Sequence, residues 1–295
     1  MTARTGSYSA HLALALAAAC VPLHTANAQL VVHVEPSTFS PIVVYEEADE
    51  RCMTFGAVRA AGRQTCQALN DPQHMVFAYS RMMMSALFAH PDPRRILVIG
   101  LGGGTLSRAL VDVLPEAQVD TVEIDPAVLK VATEHFGFAQ GPRQTVHIAD
   151  GRAFVEQAAA QGRQYDLIFL DAFDVTYIPP HLLTREFLTL VRDRLAPGGI
   201  LAANTFTASG LYAQESSTYA AVFGRFYNLR ESNRVIIAAR EALPDAEALR
   251  ARAQALAPRL APYGIDVDAQ LKGFRDKPDW PAGARILTDK EPVRQ

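Results

Sequence analysis

From Arg95 to Ala239 the chain alternates continuous apolar runs with amphipathic stretches: RRILVIG, a helix from Thr105, VDTVEI, a helix from Pro126, TVHIA, a helix from Arg152, YDLIFLDAF, a helix from His181, GGILAANTF and a helix near Leu211. Runs that stay largely apolar, with no strict alternation at every second position, belong to strands covered on both faces. Strands separated by helices are joined by crossovers. The pattern therefore predicts an α/β fold with a parallel sheet and helices on both sides. The last two apolar runs, FGRFYNLRES and NRVIIAAR, flank a tight polar turn at Glu231 to Asn233. They read as a terminal hairpin, so one of them runs antiparallel.

The rest of the chain frames this sheet. Residues 29–71 form a small β region, broken by Pro36, Pro41 and Gly56. A helix is expected over residues 72–90, opened by Asp71-Pro72, with Met75, Ala78, Met82 and Leu87 on its apolar face and Met82-Met83-Met84 as core. Residues 72–243 make the sheet domain, and residues 244–295 carry one helix and an irregular tail. The first 28 residues read as a signal peptide: Arg4, an apolar run from His11 to Ala19, and Ala26-Asn27-Ala28 as a cleavage site. The run is far short of the roughly 20 residues that a membrane span needs. A lipoprotein cleaved before Cys20 is the lesser alternative. The expectation is an exported protein, periplasmic or secreted. With 28 basic and 31 acidic residues, no polybasic footprint argues for nucleic acid or an anionic membrane surface.

Export changes how the cysteines read. Cys52 and Cys66 remain as an even pair, placed symmetrically about Arg59 between two β-like runs, so a hairpin there sets them opposite each other. A disulfide is the expectation. Two buried unpaired thiols are the alternative, and the spacing is poor for zinc.

In a parallel sheet the ligand sits at the carboxyl ends of the strands. The first strand runs into Gly100-Leu101-Gly102-Gly103-Gly104-Thr105, where Gly100, Gly102 and Gly104 let backbone approach a ligand ahead of a helix. The dinucleotide fingerprint fails, because Thr105 stands where its last glycine belongs. The second strand ends at Glu123, able to accept from two ribose hydroxyls; the bland reading is a solvated neighbour of a helix cap. The third ends at Asp150-Gly151, where a carboxylate suits the exocyclic amine of adenine, and the fourth at Asp171-Ala172-Phe173-Asp174. This set favours S-adenosyl-type ligands. No H-E-x-x-H, C-x-x-C or G-x-S-x-G motif is present, so the sequence shows no metal, redox or covalent-nucleophile signature.

These residues resemble the polyamine aminopropyltransferases, or spermidine synthases, from about Phe55 to Thr205: the strand with its glycine loop, VEIDP, the Asp150-Gly151 pair and Asp171-x-x-Asp174. The resemblance implies a methyltransferase-type Rossmann-like sheet behind an amino-terminal β region. It implies decarboxylated S-adenosylmethionine as co-substrate, a polyamine acceptor, no tightly bound cofactor, and pairing of two copies as a homodimer. By motif, Glu123 would hold the ribose, Asp150 and Gly151 the adenine, and Asp171 would accept the amine proton. Asp174, Tyr79 and Gln64 would line the amine side. Some positions depart from the family. Its glycine-loop aspartate is replaced by Gly103, the residues after the tyrosine are Ser80 and Arg81, and Asp174-Val175 replaces Asp-Pro. Two other readings stay open: a methyltransferase using S-adenosylmethionine, and an exported polyamine- or nucleoside-binding protein without catalysis.

Overall fold

The computed structural model describes residues 1–3, 29–56, 62–174, 177–291 and 293. The expected leader, apart from its first three residues, lies outside these, as does most of the expected hairpin turn at Arg59 to Gly62. Four strands, β1 (Leu30–Glu35), β2 (Ile42–Glu47), β3 (Glu50–Phe55) and β4 (Arg63–Ala68), form an antiparallel sheet in that order. Cys52 and Cys66 are direct register partners across β3 and β4, and their sulfurs are bonded with the Cα atoms 4.1 Å apart.

Seven strands form the second sheet: β5 (Arg95–Ile99), β6 (Gln118–Glu123), β7 (Gln144–Ile148), β8 (Tyr165–Leu170), β9 (Leu195–Phe206), β10 (Phe226–Arg230) and β11 (Asn233–Ala239). Their order is β10-β11-β9-β8-β5-β6-β7. β11 is antiparallel to both of its neighbours, β10 and β9, as the polar turn predicts, and the other four pairs are parallel. Side chains of β5 alternate between two cores. Ile96 and Val98 pack with α1 (Ala78–Met84), α2 (Thr105–Val113) and α7 (Ala246–Leu260). Leu97 and Ile99 pack with α4 (Gly151–Ala160), α5 (Arg185–Arg194) and α6 (Tyr212–Phe223). The remaining long helix, α3 (Pro126–His135), meets the amino-terminal sheet: Ile42, Val44 and Met53 bury against Val128, Val131 and Phe136. That contact sets the small sheet beside the carboxyl ends of the large one.

Two expected helix starts are corrected, and one helix is added. The first helix begins at Ala78, not residue 72, because Met75 bridges to Gln67 and donates its N–H to the Tyr263 carbonyl, tying the stretch to β4 and the tail. His181 lies in a short 3₁₀ turn after Pro179 and Pro180. The helix proper starts at Arg185, capped by the Thr184 hydroxyl. The tail holds a second helix, α8 (Val267–Gly273), capped by Asp266. Met82, Met83 and Met84 are buried core, as expected. Among the described residues no helix is long and apolar enough to cross a membrane.

Candidate active site

A cavity of about 410 Å³ opens between the carboxyl ends of the large sheet and the amino-terminal sheet, a size within the roughly 300–1,000 Å³ of small-molecule sites. Gly100, Gly102, Glu123, Asp150, Gly151, Asp171, Asp174, Gln64, Tyr79 and Cys66 all line it. Gly104 does not. It takes a left-handed φ of 76° as the cap of α2, and a Cβ there would meet Phe138 at 2.3 Å. Its job is to turn the chain and pack, not to meet a ligand.

The glycine loop works through backbone conformation. Gly100 has φ 102°, and a Cβ on it would stand 2.2 Å from the Asp171 carbonyl oxygen. Only glycine lets the turn after β5 lie against the end of β8. Gly103 points away from the cavity: its N–H donates to the Thr65 hydroxyl at 3.0 Å, and an added Cβ would meet Thr65 and Phe136. In this chain Thr65 occupies the space that a side chain at position 103 would need.

Glu123 ends β6 and is nearly buried, 9% exposed, so the solvated reading is excluded. The Leu101 and Asp125 N–H groups each donate to one of its oxygens at 3.0 Å. Burial pushes its pKa up, while these bonds and the Ile124 N–H favour the charged form. Each oxygen keeps acceptor capacity for a diol. Asp125 beside it caps α3 and accepts from the Ser37 hydroxyl, tying the two sheets together.

Asp150 caps α4, taking the Ala153 N–H on one oxygen at 2.9 Å and meeting His181 Nε2 with the other at 2.8 Å. Burial works against its charge, but the Ala153 N–H and His181 outweigh it and hold the carboxyl below its usual range. Asp171 faces the Tyr79 hydroxyl and accepts from Asn204 Nδ2 at 2.8 Å. Asn204 Oδ1 in turn accepts from Asn233 Nδ2 at 3.0 Å. Burial pushes the Asp171 carboxyl up to about 7, against the pull of Asn204 and Tyr79. Tyr79, desolvated and beside that carboxylate, is pushed well above its ordinary value and stays protonated. Asp174 accepts the Tyr177 N–H at 2.9 Å, which shapes the segment after β8. Phe39, Phe55, Phe77 and Phe173 supply an apolar lining.

Sequence reasoning missed His181 and Asn204. Asn204 stands two residues before the end of β9, where the rule that found the four carboxylates would also have found it. His181 carries no such positional signal and is brought to Asp150 by the turn after β8. Arg81, at a place where the family differs, bonds the Met75 and Val76 carbonyls and does not line the cavity, whereas Ser80 does.

The cavity thus brings together a buried carboxyl with a raised pKa, a protonated tyrosine and the further carboxylates of Glu123, Asp150 and Asp174 around a glycine turn, at the strand ends of a Rossmann-like sheet. Residues 76–238 match the spermine/spermidine synthase domain. The chain is 42% identical over 266 residues to the polyamine aminopropyltransferase of Vibrio vulnificus, covering 88% of this chain and 89% of that one. It belongs to the spermine/spermidine synthase family. A segment is also 35% identical over 150 residues to the human eEF1A lysine and N-terminal methyltransferase, spanning 45% of this chain and 22% of that protein. Among solved structures, a probable spermidine synthase from Corynebacterium glutamicum superposes with a TM-score of 0.67 at 21% identity, covering 89% of this chain and 98% of that one. Human methyltransferase-like protein 13 in complex with SAH gives 0.57 at 30% identity, covering 70% and 98%.

Proposed function

We propose that the protein transfers an aminopropyl group from decarboxylated S-adenosylmethionine to a polyamine acceptor. The observation that carries this reading is Asp171, a desolvated carboxylate facing Tyr79 at the carboxyl end of β8, on the same cavity as Glu123 and Asp150. An amine acceptor enters as a cation, with a pKa near ~10 like lysine, and must lose a proton before its lone pair can react. Asp171 attracts that cation and takes the proton. The nitrogen then attacks the methylene beside the sulfonium, the new C–N bond forms as the C–S bond breaks, and neutral methylthioadenosine leaves. Glu123 holds the ribose hydroxyls, Asp150 and Gly151 the adenine, and the Tyr79 hydroxyl and Asp174 the amine. Gln64 belongs to the same amine side. Asn204 and the Tyr79 hydroxyl each take one acceptor position of Asp171, and its remaining lone pairs are open to the amine.

The test is product formation by the protein without its leader. Decarboxylated S-adenosylmethionine with putrescine should give equal amounts of methylthioadenosine and spermidine. A second reading, methyl transfer, rests on Gly103, which gives the cavity no carboxylate for a cationic donor tail, and on the 30% identity to the methyltransferase solved with SAH. S-adenosylmethionine yielding S-adenosylhomocysteine, with no reaction of the decarboxylated donor, would replace the first reading by the second. Export is part of the proposal, supported by the Ala26-Asn27-Ala28 pattern and by the bridged pair Cys52–Cys66.

A further inference from the structure

Away from the cavity, the junction of β1 with α3 gathers two imidazoles and a carboxylate. His33 and Glu35 are the less exposed positions of β1, which otherwise shows Leu30, Val31, Val32 and Val34 to solvent. His135 is the last residue of α3. Its ring lies 4.6 Å from that of His33, and Glu134 stands beside it, with one ligand atom from each of the three within 4.8 Å of the others.

We propose that His33, Glu134 and His135 bind a divalent transition metal of the zinc class. Two features point to a ligand. The Nε2 of His135 is buried and has no hydrogen-bond partner among the described residues, a vacancy that proteins rarely leave. His33 Nε2 meets Glu35 at 2.9 Å, and Glu35 is itself paired with Lys130 at 2.8 Å. A carboxylate on one imidazole nitrogen fixes the tautomer and aims the other nitrogen, the usual support for a metal-ligating histidine. Two imidazoles and a carboxylate suit zinc better than calcium or magnesium, which prefer all-oxygen sites, and they leave a fourth position for water. The nearby cations are already engaged. Arg51 pairs with Glu46 while donating to the His135 carbonyl, and Lys130 pairs with Glu35. None of the three ligands lines the cavity. The metal would staple the outermost strand of the small sheet to a helix of the large domain.

Chelator-stripped protein carrying no affinity tag should take up one equivalent of Co²⁺, read from its visible absorption, and release it to Zn²⁺, with a higher melting temperature in either metal. His33→Ala and His135→Ala should abolish uptake. Glu35→Gln should weaken it about 10- to 100-fold through loss of support. His147→Ala, at a partly exposed histidine paired with Asp120, should change nothing. Glu134→Gln, at an exposed helix position, keeps the test decisive if a histidine variant fails to fold, and should also weaken uptake. No stoichiometric binding by the parent, or equal binding by the parent and the Glu134 and His135 variants, would overturn the site.

Discussion

Asp171 is where transfer and mere binding part. Near neutral pH its carboxyl stands between protonation states, the condition under which a proton acceptor is most effective. Asp171→Asn keeps the side-chain shape and its bond to Asn204 but cannot take a proton. Its kcat should fall about 10²- to 10⁴-fold, with KM for the donor unchanged in steady-state kinetics. A rise in amine KM without a fall in kcat would remove Asp171 from the proton path. The same group makes activity and stability move oppositely with pH. In the free enzyme kcat/KM rises as the carboxyl ionises, through about 7. The folded carboxyl holds its proton up to about 7, whereas the ordinary value is 3.8. Between these values the folded state binds more protons than the unfolded one, so this group lowers stability as pH rises through that window. Asp171→Asn should therefore melt above the parent at about pH 8 and lose that advantage near about pH 4. Thermal melts at the two pH values decide it, and a constant difference would mean another group titrates.

The turn between β5 and α2 carries a constraint that belongs to the element as a whole. Gly162, with φ 67° and open space around it, costs only the left-handed conformation when changed to alanine, about 1–2 kcal/mol. Gly100→Ala has at least that conformational cost, since φ 102° lies beyond the left-handed well, and drives a Cβ into the Asp171 backbone, adding about 1–3 kcal/mol of overpacking. Denaturant unfolding should separate the two variants by that margin, and only Gly100→Ala should lose activity, because what yields is the strand end that positions Asp171. Equal losses in both would place the turn elsewhere. Such elements were legible in the sequence because a parallel strand buried on both faces writes an unbroken apolar run, and its ligand-facing end is the next polar residue. Asp171 follows from that rule alone, after the unbroken run Leu167 to Leu170, whereas Glu123 and Asp150 follow from their place at the carboxyl ends of strands that carry polar residues of their own. Helix starts were less legible where a tertiary partner overrides a local signal. Asp71-Pro72 looks like a helix opening, yet Met75 is claimed by Gln67 and Tyr263. The packing of Gly103 onto Thr65 was not legible at all, since it joins two sheets whose docking no periodicity encodes.

At the scale of the whole molecule the cavity exists only because the small sheet is docked. Gln64 and Thr65 come from β4 and Tyr79 from α1, while each carboxylate lining the cavity ends or follows a strand of the large sheet. The apolar contact of Ile42, Val44 and Met53 with α3 holds the two together, and the Cys52–Cys66 bridge holds β3 to β4 within the docked sheet. The bridge closes a loop of about fifteen residues, which on the chain-entropy model is worth roughly 3 kcal/mol. Such bonds form and persist chiefly in oxidising compartments, so the bridge and the proposed leader are tested by the same experiment. Expressed from its full sequence in a bacterial host, the protein should be recovered from the periplasm with its amino terminus at Gln29 and an intact mass two hydrogens below that of the dithiol. Replacing both cysteines by alanine should lower the unfolding free energy by about 2–4 kcal/mol and weaken ligand binding, because Cys66 and the neighbouring Gln64 and Thr65 line the cavity. Recovery of the full-length chain in the cytoplasm with two free thiols would sink export and bridge at once. Mature, bridged protein that binds methylthioadenosine but turns over neither donor would instead identify a binding protein built on a transferase fold.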